Sequence, residues 1–312
     1  MYRPPAIEAR ELTRDYVTRR GHRRALDAVS FTVEHGQVVG MLGPNGAGKT
    51  TCVRILTTLL LPTSGVARIE GVDVTESPRA VQRMVGVSFG GDAGLYTRLS
   101  GRDNLRYFGT MYGLSGRQLA VTTDRLLERV GLAERGRDRV ETYSRGMRQR
   151  LHIARALVHA PGVLILDEPS SGLDPAHARQ LRDLVGNLRA EGHAVLLTTH
   201  DMLEAEQVCQ QVVIVREGRI VKGATVRALR EEVARVVGHR VEIESRIDIP
   251  DSFLAKLPGF VRVEGRQPPA ITVFSHEPAA MASVLMEYLP EYIQSISIST
   301  PTLEDAYLAT VA

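Results

Sequence analysis

Residues 43–50 read Gly43-Pro44-Asn45-Gly46-Ala47-Gly48-Lys49-Thr50 and match G-x-x-x-x-G-K-[ST] in full. Each position answers a demand of phosphate chemistry. Glycines let backbone N–H groups turn inward around anionic oxygens, where a Cβ would obstruct them. Lys49 offers a point charge to terminal phosphates, and the Thr50 hydroxyl offers an oxygen to Mg²⁺. Thr51 is the next nucleotide-contacting candidate. A second set of polar residues follows an apolar run, Val163-Leu-Ile-Leu-Asp-Glu168. Four apolar residues make a buried strand that delivers Asp167 to its carboxyl end, where ligands sit in parallel sheets. Asp167 is placed to hold Mg²⁺ through water, and the adjacent Glu168 to orient and polarise an attacking water.

These residues need strands and helices to position them, and the apolar pattern supplies both. Ile7–Leu12 and Val29–Val33 alternate as strands, and Gln37–Leu42 is a short apolar run leading into the glycine-rich loop. A helix is expected from about Gly48 to Leu60, ended by Pro62. Residues 90–160 are mostly helical by periodicity, near Asn104–Tyr112, Gln118–Val130 and Gly146–His159. Val163–Leu166 and Ala194–Thr198 read as buried strands, so the domain is α/β with a largely parallel sheet. A boundary lies near residues 224–240. Beyond it come short alternating strands at Val241/Ile243, Val261/Val263, Ile271/Val273 and Ile296/Ile298, with helices near 251–257 and 278–288. That order suggests a small ferredoxin-like α+β module over residues 240–312, closed by a terminal helix at Pro301–Leu308.

Composition sets bounds on function. Net charge is only +3, which gives no reason to expect nucleic acid as a partner. Of 39 basic residues just three are lysine, Lys49, Lys222 and Lys256, so the lysine in the loop stands out. The longest stretch without Asp, Glu, Lys or Arg is 14 residues, His35 to Gly48, too short for a membrane span. A role at a membrane would therefore run through another polypeptide. Cys52 and Cys209 lie far apart and form no metal-ligand pattern, as expected of buried structural thiols. The basic stretch Thr18-Arg-Arg-Gly-His-Arg-Arg24 reads as a solvated hairpin tip.

Taken in order, these motifs resemble an ATP-binding cassette (ABC) transporter ATPase over residues 6–225. The resemblance adds Ser171-Gly-Leu-Asp174, His200 after a strand, and Tyr143-Ser-Arg-Gly-Met-Arg-Gln-Arg150, which is similar to the family's signature motif. It implies a P-loop NTPase core with a β-rich amino-terminal subdomain and a helical subdomain at about 90–160. It also implies ATP as ligand, with Tyr16 stacked on the adenine and His200 holding the γ-phosphate and the water together with Glu168. Lys49, Glu168 and His200 would be the catalytic group, and Thr50 and Asp167 the metal ligands. Asp174 would reach across a dimer, where Ser144 and Gly146 bind the γ-phosphate held by the opposite subunit. Two positions depart from the family. Arg145 replaces the first signature glycine, and its side chain is expected to point to solvent rather than at the partner's phosphate. Val85–Asp92 aligns with the family's glutamine loop but has Gly90 at the glutamine's position; Asp92 is a candidate to substitute through a water.

The carboxy-terminal module, ending Pro-Thr-Leu-Glu-Asp-Ala-Tyr-Leu308, is similar to ATPase subunits of drug, lipid and polysaccharide exporters, including the daunorubicin-resistance type. The expectation is an exporter's ATPase subunit on the cytoplasmic face of the membrane, working as a homodimer or heterodimer with a separate permease. Asn104 and Leu105 fall in the stretch that touches the permease in this family. A non-transport ABC ATPase and an ATP-switched regulatory module are the alternatives.

Overall fold

A computed structural model of the chain describes residues 3–18, 21–90, 94–267 and 269–311, so Asp92, Arg19 and Arg20 lie outside the described residues. The amino-terminal hairpin is longer than its alternation suggests. β1 (Ile7–Thr18) and β2 (Gly21–Val33) pair antiparallel all the way from Ile7 opposite Val33 to Thr18 opposite Gly21. Register shifts break the period-two pattern, and Glu11 and Ala28 take φ values of 48° and 50° inside them. With β4 (Ser64–Ile69) and β5 (Val72–Asp73) these strands form a four-stranded sheet of order β2-β1-β4-β5.

A second sheet carries the phosphate loop. Its order is β10-β9-β3-β8-β7-β6, from β3 (Val38–Leu42), β6 (Val85–Ser88), β7 (Val163–Asp167), β8 (Ala194–Thr199), β9 (Gln211–Arg216) and β10 (Arg219–Thr225). The run β9-β3-β8-β7-β6 is parallel. Every residue of β3, β7 and β8 is buried, which is why these segments read as unbroken apolar runs rather than alternations.

Seven helices accompany these sheets among the described residues: α1 (Lys49–Leu56), α2 (Pro78–Met84), α3 (Gly101–Met111), α4 (Gly116–Arg129), α5 (Arg145–Ala156), α6 (Pro175–Ala190) and α7 (Met202–Val208). α1 stops four residues short of the expected Leu60. The Thr57 hydroxyl donates back to the Val53 carbonyl, and Thr58 turns the chain at φ 65°. Leu59 and Leu61 are left exposed. Both cysteines are buried, and burial pushes the Cys52 thiol up to about 12.

Contacts divide the chain between Gly223 and Ala224. The second unit begins with α8 (Val226–Val237), which the sequence pattern had given to neither part. It continues through β11 (His239–Ser245), α9 (Asp251–Leu254), β12 (Phe260–Gln267), β13 (Ala270–Ser275), α10 (Pro278–Tyr288), β14 (Ile293–Ser299) and α11 (Leu303–Val311). Its antiparallel sheet has the order β12-β13-β11-β14 and packs Val241, Ile243, Ile271 and Val273 against Leu254, Met281 and Leu285.

Candidate nucleotide-binding site

Three adjacent parallel strands end side by side. In register, Leu42 at the end of β3 lies beside Thr199 of β8, and Thr198 of β8 lies beside Asp167 of β7. The phosphate loop leaves β3, Asp167 and Glu168 leave β7, and His200 leaves β8. Side chains 31 or more residues apart in sequence are thereby brought to one edge, as expected at the carboxyl end of such a sheet.

The loop is shaped by glycine. Gly48 caps α1 at φ 112°, and a Cβ there would meet the Ala25 carbonyl oxygen at 2.5 Å. Gly46 has φ 84°. Backbone this tight leaves N–H groups free to converge on an anion at the start of α1. Lys49 folds back over the loop, 4% exposed, and donates to the carbonyls of Gly43 at 2.7 Å and Pro44 at 3.2 Å. A pocket of about 420 Å³ opens above it, lined by Tyr16, Asn45, Gly46, Gly48, Thr50, Thr51 and Glu168 among others. Pro44 and Ala47 complete the turn, with the Ala47 N–H donating to the Pro44 carbonyl.

Glu168 is the hub of the charged groups. One carboxylate oxygen lies 3.4 Å from Lys49 Nζ and 3.5 Å from His200 Nδ1. The residue sits in the left-handed region at φ 48°, a costly conformation for a side chain with a Cβ. Its N–H donates to both the carbonyl and the hydroxyl of Thr198, which hold it there. The Thr198 hydroxyl also donates to one oxygen of Asp167. Thr198 thus fixes both acidic residues, a role the sequence reading missed because the residue is buried inside an apolar strand.

The donor set suits a hard divalent cation shared with phosphates. Asp167 is buried and keeps a second carboxylate oxygen beyond the one Thr198 occupies, while Thr50 lines the pocket. Oxygen ligands in this number fit Mg²⁺, which retains waters and takes the rest from substrate. Among the described residues, no group of three or more His, Cys, Asp or Glu could hold a metal alone.

Other expected residues lie elsewhere. Ser144, Gly146 and Asp174 do not line this pocket. Ser144 caps α5 by accepting from the Met147 N–H, and the His177 ring covers Gly146. Asp174 caps α6, accepting from the Ala176 and His177 N–H groups and pairing with the His177 ring. That pairing, and then the backbone bonds, hold its carboxyl below the usual range. Arg145 is exposed. Its guanidinium lies over Gly172, close enough that a Cβ there would meet Nη1 at 2.2 Å. Gly90 lies against the acidic pair, where a Cβ would be 3.1 Å from the Asp167 carbonyl oxygen.

Comparison with known proteins agrees with this geometry. The ABC transporter family model matches residues 26–171. The ABC transporter ATP-binding protein NatA of Bacillus subtilis (strain 168) is 38% identical over 67% of this chain and 85% of its own. The chain belongs to the ABC transporter ATP-binding proteins. This ABC ATPase is also 36% identical to the daunorubicin resistance ATP-binding protein DrrA2 of Streptomyces coeruleorubidus, over 97% of this chain and 94% of that one. Among solved structures, cbiO1 from Clostridium perfringens, part of the ABC transporter complex cbiONQ, superimposes with a TM-score of 0.66 at 26% identity. That match covers 74% of this chain and 94% of that one.

One buried acid in this ABC ATPase stands just behind the His200 turn. Glu204 is 1% exposed, one of its oxygens has no hydrogen-bond partner, and Asp201 caps its N–H. Burial pushes its carboxyl up, against hydrogen bonds from Thr199 and Ser170. A raised folded-state value means stability that is fully present below the ordinary glutamate range and is lost as pH rises through the folded value. Glu204→Gln, which cannot ionise, is therefore expected to gain stability over the wild type progressively as pH rises. Urea midpoints measured across acidic to neutral pH test this; parallel curves for the two proteins would exclude it.

Proposed function

We propose that this ABC ATPase is the energy-coupling subunit of an exporter, working as a dimer with a separate permease on the cytoplasmic face of the membrane. The observation that carries the catalytic part is the meeting of Lys49, Glu168 and His200 within 3.5 Å contacts at three adjacent strand ends. Tyr16 offers a flat face for the adenine, and the loop 43–51 offers N–H groups and Lys49 for the phosphates. Glu168 takes hold of the attacking water, and His200 orients it while facing the γ-phosphate. Asp167 and Thr50 hold Mg²⁺, which when bound neutralises charge developing on the phosphoryl oxygens. The remaining work is positioning and electrostatics by fixed groups.

The position of the signature supports the dimer. Ser144 and Arg145, at the start of α5, are exposed and away from the pocket of their own chain, and a helix start suits an anion brought by another subunit. Asp174 would join that interface after exchanging its His177 partner. The second subunit is another copy of this chain or a related ATPase. No helix among the described residues is long and apolar enough to cross a membrane, which is compatible with a separate permease. Export of a drug, lipid or polysaccharide is supported by the relative named for daunorubicin resistance, whose match runs through the second unit as well.

The test uses Glu168→Gln protein captured with ATP from solubilised membranes of its own host. A polytopic membrane protein recovered in stoichiometric amount supports the exporter reading. Recovery of soluble partners alone would remove the export claim and leave the ATPase intact.

A further inference from the structure

The hairpin above the phosphate loop carries a cation, Arg23, that the nucleotide reading has not used. Of its arginines, Arg24 is answered by Asp15 and Asp27, and Arg14 donates to the Leu61 carbonyl while lying 4.8 Å from the Tyr16 ring centre. Arg23 has no carboxylate partner among the described residues. It lines the nucleotide pocket instead, with Nη2 3.8 Å from where a Cβ on Gly46 would stand. Register explains the placement. Tyr16 and Arg23 are directly opposite in the β1–β2 pair, so both side chains project from the same face of the hairpin.

Charge explains the use. Within the pocket lining, the Lys49 charge is partly answered by Glu168 at 3.4 Å, whereas the Arg23 charge is not. A nucleotide with its base on Tyr16 and its terminal phosphates at Lys49 must run its ribose and α-phosphate between them. We propose that Arg23 grips the phosphate chain at this ribose end, so that Tyr16, Arg23 and Lys49 hold base, α-phosphate and terminal phosphates in turn. The inference rests on the nucleotide site assigned above. The ligand is a nucleoside di- or triphosphate, read through phosphate oxygens by a planar fork suited to paired contacts.

The experiment is calorimetric titration of ATP, ADP and GTP into the full-length protein and its Arg23→Ala and Arg23→Lys variants. Arg23 is exposed and unpaired among the described residues, so its removal is expected to leave the fold intact, checked by circular dichroism. Arg23→Ala is expected to weaken all three nucleotides alike, by about tenfold, the worth of one charged hydrogen bond. The affinity should also fall less steeply with added salt than in the wild type. Arg23→Lys, which keeps charge and loses the fork, should recover part of the loss. Wild-type affinity in Arg23→Ala overturns the proposal, and so does a loss confined to the triphosphates, which would place the side chain at the far end of the chain. Absence of nucleotide binding by the wild type would overturn the site assignment itself.

Discussion

Glu168→Gln protein is expected to bind ATP at least as tightly as the wild type while hydrolysing it at least about a hundredfold more slowly. The amide keeps the shape of the carboxylate, and Lys49 and the N–H bonds to Thr198 stay in place. What is lost is the negative oxygen that faces both Lys49 and His200, the group proposed to polarise water. Removing that charge beside Lys49 should, if anything, improve the site for an anion. Trapped ATP should then hold two chains together, so size-exclusion chromatography with ATP should show a dimer that the wild type populates only transiently. Phosphate release and nucleotide affinity measured on the same preparation decide the matter. Near-normal turnover would remove Glu168 from the chemistry, and negligible wild-type turnover would favour an ATP-driven switch over a transport motor.

Lys49→Ala should fail earlier, at binding. The ammonium is buried and bridges the Gly43 and Pro44 carbonyls, so it both braces the loop and supplies its charge. Without it, Glu168 stands uncompensated in a pocket meant for an anion. Two charge-assisted contacts to phosphate are worth on the order of a hundredfold in affinity or more, and calorimetry should record at least that loss for ATP and ADP. Lys49→Arg is expected to rescue little, because a planar fork cannot occupy the niche of a compact ammonium. Binding within a few-fold of wild type in Lys49→Ala would show that the loop does not cradle phosphates.

How much of this was legible in the sequence varied with how local the physics was. The phosphate loop, the Asp167-Glu168 pair and His200 are each readable because a short apolar run marks the strand that delivers them. β1 and β2 were legible only as Ile7–Leu12 and Val29–Val33, since the irregularities around Glu11 and Ala28 reset the alternation. β4 and β5, the latter two residues long, escaped notice, as did β9 and β10 beyond His200. By sequence alone Arg23 reads as part of a solvated basic turn. A signal was present, because the pairing that sets Thr18 opposite Gly21 puts Tyr16 directly opposite Arg23, and a residue opposite Tyr16 shares its face. The seat of Arg145 on Gly172 had no such signal, since it depends on how α5 meets the loop leaving β7.

With Glu168 in its proposed role, its left-handed backbone sets this protein's stability against its activity. At φ 48°, glycine or asparagine would sit there more comfortably than glutamate, by about 1 kcal/mol or more. A laboratory lineage selected only for heat resistance, with no reward for turnover, would therefore drift at position 168 toward residues that cannot move a proton.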